Sequence, residues 1–285
     1  MSRIAYVNGR YVPLDAAQVH VEDRGFQFAD GAYEVFAVRG GRLVEADAHW
    51  RRLARSLAEL SIAPPMSQAA MSHIAAEVVR RNRVADGLLY LQVTRGRARR
   101  DFPFPKGVEP SIVMTARSQK PPDPELVRRG VAVITLPDIR WARRDIKSVS
   151  LLPNVLAKQR AKEAGAYEAW LIDGEGRITE GASSNAWIVT EGGEIVTPAC
   201  SPSILAGVTR GTLVTLAQSQ GLSIAERPFT LAEAFAAREA FLTSSSNTVM
   251  PVVRIDGKPI GNGAPGLLSL KLRAEYHSAA EIGDA

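Results

Sequence analysis

Short runs of alternating apolar and polar residues, separated by tight turns, recur along the whole sequence. Such runs flank four dipeptides that favour tight turns: Asn8-Gly9, Gly40-Gly41, Gly192-Gly193 and Asp256-Gly257. Turns of this kind join neighbouring antiparallel strands, because asparagine and glycine tolerate the positive φ angles that a tight hairpin needs. Helical periodicity also occurs, for example over 49–60, but helices and strands do not alternate strictly. The sequence therefore predicts α+β domains rather than a doubly wound parallel sheet.

A proline-rich segment separates two parts of the chain. Three prolines occur within the seven residues SQKPPDP at 118–124, a composition typical of a linker between compact regions. A chain of 285 residues is also long enough for two domains. We expect a small N-terminal α/β domain at 1–118, an interdomain linker at 119–125 and a large C-terminal domain at 126–285.

Composition restricts the class of protein and its setting. Hydrophobic residues make up 46% and charged residues 23% of the chain, as in an ordinary globular protein. Cys200 is the one cysteine, so no intrachain disulfide can form and a cytoplasmic location is expected. The four histidines do not fall at metal-ligand spacing, and no apolar run reaches the length of a membrane span. We therefore expect no metal site and no membrane partner.

Two arginine clusters carry much of the net charge of +5: RGRARR at 95–100 and RWARRDIK at 140–147. Clusters of this kind usually form solvated faces, and we predict that for most of these side chains. A basic nucleic-acid-binding module is a remote alternative. The arginines lack the interleaved aromatic residues on which bases stack, so no nucleic-acid partner is expected.

Lys147 is a candidate catalytic residue. It lies in DIKS at 145–148, after the arginines of the second cluster and before the mostly apolar 149–152. Cationic and apolar neighbours disfavour the charged form of an amine, which is how a lysine becomes a Schiff-base nucleophile. A surface lysine in a basic loop is the alternative interpretation of this segment taken alone.

Other segments contain polar groups suited to binding a ligand. Glu180 ends a predicted strand in TEGASSN at 179–185 and is able to pair with a protonated ring nitrogen. GVTR at 207–210 opens a predicted helix, whose first backbone N–H groups bind phosphate well, and TSSSN at 243–247 offers hydroxyls. Polar turns and an ordinary helix start are the alternatives, and Tyr33 is also compatible with a half-buried core tyrosine.

Six motifs together resemble those of a known family. In chain order they are RGFQFADGAYEV at 24–35, HWRRL at 49–53, QVTRG at 92–96, DIKS at 145–148, TEGASSN at 179–185 and GVTR at 207–210. The sequence resembles the class IV aminotransferases, which depend on pyridoxal 5'-phosphate (PLP), and within them the D-amino-acid aminotransferase group. The resemblance covers nearly the whole chain. It implies the two-domain fold type IV, with the cofactor between the domains and a large C-terminal cofactor-binding domain.

The resemblance also implies a role for each candidate residue. Lys147 would hold PLP as a Schiff base and move the substrate Cα proton, while Glu180 would keep the ring nitrogen protonated. Leu205 would pack against the ring, and Glu34 would support the hydrogen-bond network around Tyr33 or Glu180. The phosphate would be bound by the remaining cofactor residues, Arg52, Val208, Thr209 and Ser245. The implied reaction is ping-pong transfer of an amino group from a D-alanine-like D-amino acid to a 2-oxo acid.

The substrate side of the resemblance rests on Tyr33 and an R-x-H motif. In the D-amino-acid group these bind the α-carboxylate, and the neighbouring subunit of a homodimer supplies the motif. The segment here is RRDFPFP at 99–105, in which Arg100 matches the arginine and Phe102 replaces the histidine. Loss of one charge-assisted hydrogen bond removes about 1–3 kcal/mol of carboxylate binding. Either a neighbouring arginine compensates, or the site accepts a different substrate.

Sibling activities of the same fold remain alternatives. One is transamination of branched-chain L-amino acids or of (R)-amines. Another is the aminodeoxychorismate lyase reaction, which eliminates pyruvate and needs no amino acceptor. The Tyr-Glu-Val start at 33–35 and Arg100 favour the D-amino-acid group.

Overall fold

The computed structural model describes residues 3–280, which form two compact units. The first contains the chain up to Pro121 together with Ile146–Ser150, and the second contains Pro122–Asp145 and Leu151–Ala280. The boundary after Pro121 falls within the expected linker 119–125. The units differ from the expected domains at Ile146–Ser150, which the expected bounds place in the C-terminal domain. The outer bounds of those domains, at 1 and 285, lie outside the described residues.

The first unit contains a six-stranded sheet in the order β2-β1-β6-β5-β3-β4, in which every neighbouring pair is antiparallel. A short 3-10 helix (Leu14–Ala16) follows β2. The elements are β1 (Ile4–Val7), β2 (Arg10–Pro13), α1 (Arg24–Phe28), β3 (Gly31–Arg39), β4 (Arg42–Leu43), α2 (Ala46–Glu59), α3 (Gln68–Arg81), β5 (Gly87–Thr94) and β6 (Ser111–Ser118).

The second unit contains a mixed sheet with the strand order β12-β11-β10-β14-β15-β7-β8-β9-β13, and β16 pairs with β15. The β7–β8, β7–β15 and β11–β12 pairs are parallel. The elements are α4 (Pro124–Arg129), β7 (Val131–Pro137), α5 (Leu152–Glu163), β8 (Glu168–Ile172), β9 (Arg177–Gly181), β10 (Asn185–Val189), β11 (Ile195–Thr197), α6 (Val208–Ser219), β12 (Ile224–Glu226), β13 (Phe229–Thr230), α7 (Leu231–Phe235), β14 (Glu239–Ser244), β15 (Thr248–Ile255), β16 (Lys258–Pro259) and α8 (Leu267–Ala279).

All four predicted turn dipeptides lie between paired antiparallel strands. The dipeptides at 8–9, 40–41 and 256–257 have positive φ at both positions, and the residues flanking each of them are register partners. Gly192-Gly193 also lies between paired antiparallel strands, β10 and β11, as predicted. Val189 pairs with Ile195 there, so the connection is longer, and Thr190 and Glu194 close it through a backbone hydrogen bond.

The core of the first unit follows from the alternation of β3. Its buried face carries Phe36, whose ring lies 4.8 Å from the Trp50 ring of α2 and 4.7 Å from that of His49. Burying a large apolar side chain stabilises a fold by about 1.5–3 kcal/mol. This packing holds one side of α2 against the same face of β3 that carries Glu34, which is completely buried.

The mixture of helices and sheets confirms the predicted α+β class. Within residues 3–280, no helix combines the length and apolar character needed to cross a membrane. The same residues contain no group of histidine, cysteine, aspartate or glutamate side chains arranged to hold a metal ion.

Candidate active site

Lys147 belongs to the first unit, where its segment lies beside the start of β3. Tyr33 N donates to Lys147 O at 3.0 Å, and Val149 N donates to Gly31 O at 3.0 Å. From the other side, Lys147 N donates to the buried Ser56 Oγ of α2 at 3.2 Å. These bonds fix the backbone of the lysine between a strand and a helix.

The Lys147 side chain is half-buried and points its amine at an aromatic ring. Nζ lies 4.3 Å from the centroid of the Tyr33 ring. Within residues 3–280 this amine forms no ion pair with a carboxylate, so it keeps the capacity to react as a nucleophile. The structure therefore brings together the predicted catalytic lysine and the predicted substrate tyrosine.

Tyr90 and Gln92 of β5 lie next to Tyr33, and the sequence did not identify them as site residues. The Tyr90 ring lies 5.8 Å from the Tyr33 ring, and Tyr90 Oη donates to Gln92 Oε1 at 2.6 Å. Burial, together with the neighbouring Tyr33, raises the pKa of Tyr90 to about 12, so its phenol stays protonated near neutral pH. The antiparallel register, in which Tyr33 pairs with Gln92, follows once β3 and β5 are taken as neighbours.

Arg52, predicted to bind the phosphate, forms a buried ion pair with Glu34. Its Nε donates to Glu34 Oε1 and its Nη2 to Glu34 Oε2, both at 2.8 Å. His49, one helical turn earlier on α2, bonds through Nδ1 to the same Oε2 at 2.7 Å. Glu34 thus contacts Arg52 and His49, rather than the expected hydrogen-bond network around Tyr33 or Glu180.

The protonation states in this cluster follow from its charges. Burial alone would raise the pKa of Glu34, but Arg52 and His49 outweigh it and lower that pKa to about 2. Burial also lowers the pKa of His49, and Glu34 only partly opposes this effect. An ionised Glu34 only accepts hydrogen bonds, so Nδ1 of a neutral His49 carries the proton.

Glu34→Gln is expected to destabilise the protein by about 3–5 kcal/mol near neutral pH, because it leaves the Arg52 guanidinium buried without its counter-charge. Since the pKa of Glu34 falls on folding, from 4.5 to about 2, its contribution is fully present above pH 4.5. That contribution is lost as the pH falls toward 2. The difference between wild type and variant in urea unfolding should therefore be largest above pH 4.5 and shrink below it.

A matched control is Glu163→Gln, which removes an exposed carboxylate paired with Arg160 on α5. Exposed pairs contribute little, so its unfolding free energy should match the wild type at every pH. Equal stability of wild type and Glu34→Gln at pH 7 would contradict a structural role for this ion pair.

Arg100, predicted to bind the substrate carboxylate, lies on an exposed segment of the first unit. Its guanidinium lies over the Phe28 ring at 4.5 Å, and Phe102, which is 80% exposed, packs on that ring at 5.6 Å. The buried Arg24 holds the segment by donating to Asp101 O at 2.6 Å and to Phe102 O at 3.2 Å. Among the residues that the structure describes, no hydrogen bond, ion pair or ring contact joins Arg100 to Lys147 or Tyr33.

Glu180 lies on β9 in the second unit and is 4% exposed. Three donors surround its carboxylate. Arg140 Nη1 donates to Oε1 at 2.5 Å, Asn185 Nδ2 donates to Oε2 at 3.0 Å, and Leu205 N lies 3.1–3.2 Å from both oxygens. The structure thus joins the predicted Glu180 and Leu205 and adds two residues that the sequence did not single out for the site.

Two arginines of the basic clusters do not belong to the solvated faces predicted for most of these side chains. Arg95 is 7% exposed and binds Asp30 in the first unit, with Nε and Nη2 donating at 2.7 and 3.0 Å. In the second unit the Arg140 side chain is 8% exposed and also binds Asp138. Arg95 neutralises Asp30 and Arg140 neutralises Glu180, carboxylates that are distant in sequence, and composition does not reveal this.

Helix α6 presents a set of polar groups at its start. Gly207 is its N-cap and supplies no side-chain cap, so the N–H groups of Val208 and Thr209 lack intrahelical acceptors. Thr209 Oγ1 is buried and has no hydrogen-bond partner within residues 3–280. Leaving a buried hydroxyl unsatisfied costs about 1–3 kcal/mol, so the site fits an anionic ligand that bonds there.

Gly207 also links this helix start to Asn185. A Cβ at position 207 would lie 2.1 Å from Asn185 Oδ1, so glycine is the residue that permits this approach. Asn185 pairs with Thr243 of β14, and the turn that follows β14 contains the half-buried Ser245. The turn is closed by Asn247 N, which donates to Ser244 Oγ at 3.2 Å.

The two sets of residues match the chemical groups of PLP. The first unit supplies an amine able to bond with an aldehyde and a nearby phenol. The second unit supplies a buried carboxylate for a ring nitrogen and, at α6, unsatisfied N–H and hydroxyl groups for a phosphate. Within each unit, the residues present are therefore of the kinds that bind groups of this cofactor.

Comparison with known proteins gives a consistent result. The sequence profile described as Amino-transferase class IV matches residues 31–255. The D-alanine aminotransferase of Bacillus licheniformis is 42% identical over 272 residues, 95% of this chain and 95% of that protein. The D-alanine aminotransferase of Staphylococcus aureus (strain MSSA476) is 36% identical over 277 residues, 97% of each chain. Among solved structures, the branched-chain amino acid aminotransferase of T.th. with pyridoxamine 5'-phosphate matches with a TM-score of 0.89 and 25% identity, covering 98% of this chain and 94% of that one.

Proposed function

Because this chain belongs to the class IV aminotransferases, a family of PLP enzymes, we propose that it transfers the amino group of a D-amino acid such as D-alanine to a 2-oxo acid. The observation that carries this choice of substrate is the 42% identity with a D-alanine aminotransferase over 95% of the chain. The branched-chain amino acid aminotransferase that shares the fold is less similar in sequence, at 25% identity.

Lys147 is the catalytic residue of this proposal. Bound PLP supplies an electron sink for the electron pair left when the substrate Cα proton departs. Lys147 Nζ would hold the cofactor covalently until the substrate amine displaces it, and the freed Nζ would then move a proton between the substrate Cα and the cofactor C4′. The fixed backbone of Lys147 and the absence of an ion pair at its amine within residues 3–280 support this role.

Glu180 holds the proton on the ring nitrogen in this proposal. An anion at that position favours the protonated nitrogen, which strengthens the electron sink. Hydrogen bonds from Arg140, Asn185 and Leu205 N to Glu180 support the role. They fix the carboxylate in one orientation, so it does not have to reorient during the reaction. The Leu205 side chain packs against the ring.

Four residues bind the phosphate in this proposal. Val208 and Thr209 donate backbone N–H groups from the start of α6, and Thr209 Oγ1 and Ser245 add hydroxyls. Arg52 adds the positive charge. Its Nε and Nη2 are paired with Glu34, which fixes the orientation of the guanidinium.

Tyr33 and Arg100 bind the substrate α-carboxylate, and Arg100 acts from the neighbouring subunit of a homodimer. The exposure of this segment supports an intermolecular role, since Phe26, Phe102 and Phe104 are 75%, 80% and 60% exposed on the first unit. Exposed apolar groups of this size mark contact surfaces. Arg24 keeps the segment in a defined conformation through its two backbone acceptors.

Phe102→His is expected to lower the KM for D-alanine by roughly 5- to 150-fold, the equivalent of about 1–3 kcal/mol for one charge-assisted hydrogen bond. The change restores the second donor of the R-x-H motif beside Arg100, and kcat should change little because the carboxylate is bound in ground and transition state alike. Steady-state kinetics with D-alanine and 2-oxoglutarate give both constants.

The matched control for this substitution is Phe104→His, which changes the other exposed phenylalanine of the segment. Phe104 lies under the Arg95 guanidinium at 3.6 Å and, among the described residues, forms no ring contact with Phe28 or Phe102, so the KM should stay at the wild-type value. An unchanged KM in Phe102→His, or an equal decrease in both variants, would count against the proposed carboxylate site.

The proposed activity is tested by the chirality and the donor dependence of the product. Purified protein with PLP and 2-oxoglutarate is incubated separately with D-alanine, L-leucine and (R)-1-phenylethylamine, and the glutamate formed is resolved by chiral chromatography. The proposal predicts D-glutamate with D-alanine. L-Glutamate from L-leucine, or product from the amine alone, would assign the chain to a sibling activity.

We also propose a cytoplasmic location, which suits a chain with one cysteine, the exposed Cys200.

A further inference from the structure

Arg140 lies between two carboxylates in the second unit. Its Nη1 donates to Glu180 Oε1 at 2.5 Å, while its Nε and Nη2 donate to Asp138 Oδ1 and Oδ2 at 2.9 and 2.7 Å. The three side chains are at most 8% exposed. Arg144 adds a second positive charge 3.4 Å from Asp138, so the four groups are neutral in total.

The ionisation of Glu180 depends on a positive neighbour. A deeply buried carboxylate takes up a proton unless a cation compensates its charge. Burial raises the pKa of Glu180, and Arg140 is the largest influence in the opposite direction, with Asp138 reinforcing the rise. Asn185 and Leu205 donate hydrogen bonds to the carboxylate, but both donors are neutral.

The geometry requires an arginine. The fork formed by Nε and Nη2 is bidentate on Asp138, which directs the remaining Nη1 toward Glu180. Thr179 Oγ1 donates to Asp138 Oδ2 at 2.8 Å and so holds Asp138 in turn. An ammonium group has no fixed fork and satisfies two carboxylates less well.

We propose that Arg140 is a positioning residue, whose guanidinium fixes the Glu180 carboxylate in one orientation and supplies the charge that maintains it as the anionic partner of the cofactor ring nitrogen. This inference rests on the proposed function, in which Glu180 pairs with that nitrogen. Asp138 acts one step further away, by holding Arg140. Neither Arg140 nor Asp138 contacts the reacting atoms in this account.

The test measures cofactor selectivity rather than activity. Apoprotein is titrated with PLP and with 1-deazapyridoxal 5'-phosphate, in which carbon replaces the ring nitrogen, and both dissociation constants are determined from absorbance. The selectivity ratio is the dissociation constant of the analogue divided by that of PLP. It isolates the contact at the ring nitrogen, because the phosphate and aldehyde groups are the same in both compounds. Wild type should bind PLP more tightly than the analogue.

Arg140→Met is expected to lower this ratio at least about tenfold, the loss of a hydrogen bond that involves a charged group. Glu180→Gln should lower it by a similar factor. In Arg140→Met the ratio should recover as the pH is raised, since Glu180 then ionises without its cation. In Glu180→Gln it should stay low at every pH, because an amide does not ionise.

Three further variants separate this role from a merely structural one. The double variant Asp138→Asn/Arg140→Met leaves no unpaired buried anion at position 138, so it should fold and still show the low ratio. Arg140→Lys keeps a positive charge and should give a ratio between those of wild type and Arg140→Met. Arg177→Met removes an arginine of the same strand as Glu180 that pairs with Asp173, and should keep the wild-type ratio.

Two outcomes would overturn the inference. A wild-type ratio in both Arg140→Met and the double variant, with a low ratio in Glu180→Gln, would show that Glu180 acts without Arg140 and would leave the proposed function intact. A wild-type ratio in Glu180→Gln as well would show that Glu180 does not pair with the ring nitrogen. In that case the role of Glu180 in the proposed function fails together with that of Arg140.

Discussion

Lys147→Ala is expected to lower kcat/KM for transfer from D-alanine to 2-oxoglutarate by about 10⁴-fold or more, because it removes both the covalent attachment of the cofactor and the general base. The methyl group of alanine cannot replace either function. The fold should persist, since Lys147 contributes its backbone, and not its amine, to the hydrogen bonds with Tyr33 and Ser56.

A second readout makes this prediction independent of activity. Wild-type protein reduced with borohydride in the presence of PLP should carry the cofactor on the peptide that contains Lys147, and Lys147→Ala should carry none at that peptide. The matched control is Lys158→Ala, since Lys158 also lies over a tyrosine ring, that of Tyr167 at 5.6 Å. Labelling of another lysine in active wild-type protein would contradict the assignment.

Glu180→Gln is expected to lower kcat by about 10²–10³-fold, the usual effect of removing one electrostatic contact to charge that develops in the transition state. A neutral amide does not favour the protonated ring nitrogen. Its NH₂ group is also a donor, so it cannot accept the hydrogen bonds that Leu205 N and Arg140 Nη1 donate to the carboxylate. Single-turnover kinetics with D-alanine measure the effect on the chemical step directly, apart from product release.

Glu239→Gln is the matched control for this substitution. Glu239 is also buried and accepts hydrogen bonds from backbone N–H groups, those of Leu268 and Ser269 at the start of α8. Its loss should change stability without changing the single-turnover rate. A rate for Glu180→Gln close to that of Glu239→Gln would remove Glu180 from the proposed mechanism.

Local sequence predicts the elements of this fold well where the signal is itself local. The turns at 8–9, 40–41 and 256–257 follow from the backbone freedom of their own residues, and the structure confirms them. The dipeptide at 192–193 also falls between paired strands, and the connection is longer there because Thr190 and Glu194 close it. The unit to which Ile146–Ser150 belongs also depends on backbone pairing with β3, which is remote in sequence.

The residues of the candidate site also differ in whether local sequence identifies them. The motifs identify Lys147, Glu180 and the start of α6, because the reactive residue types stand in short recognisable segments. They do not identify Arg140, which is separated from Glu180 by 40 positions and looks like part of a solvated basic cluster. Charge compensation between distant positions is a property of the folded chain, since only burial makes the pairing necessary.

A half-reaction tests amino transfer from a D-amino acid through Lys147 without a second substrate. Purified holoenzyme is mixed with D-alanine or L-alanine in the absence of any oxo acid, and the pyruvate formed per active site is measured. We expect one equivalent of pyruvate per site with D-alanine, almost none with L-alanine, and none in Lys147→Ala. Pyruvate formed preferentially from L-alanine, or no pyruvate from either enantiomer, would contradict it.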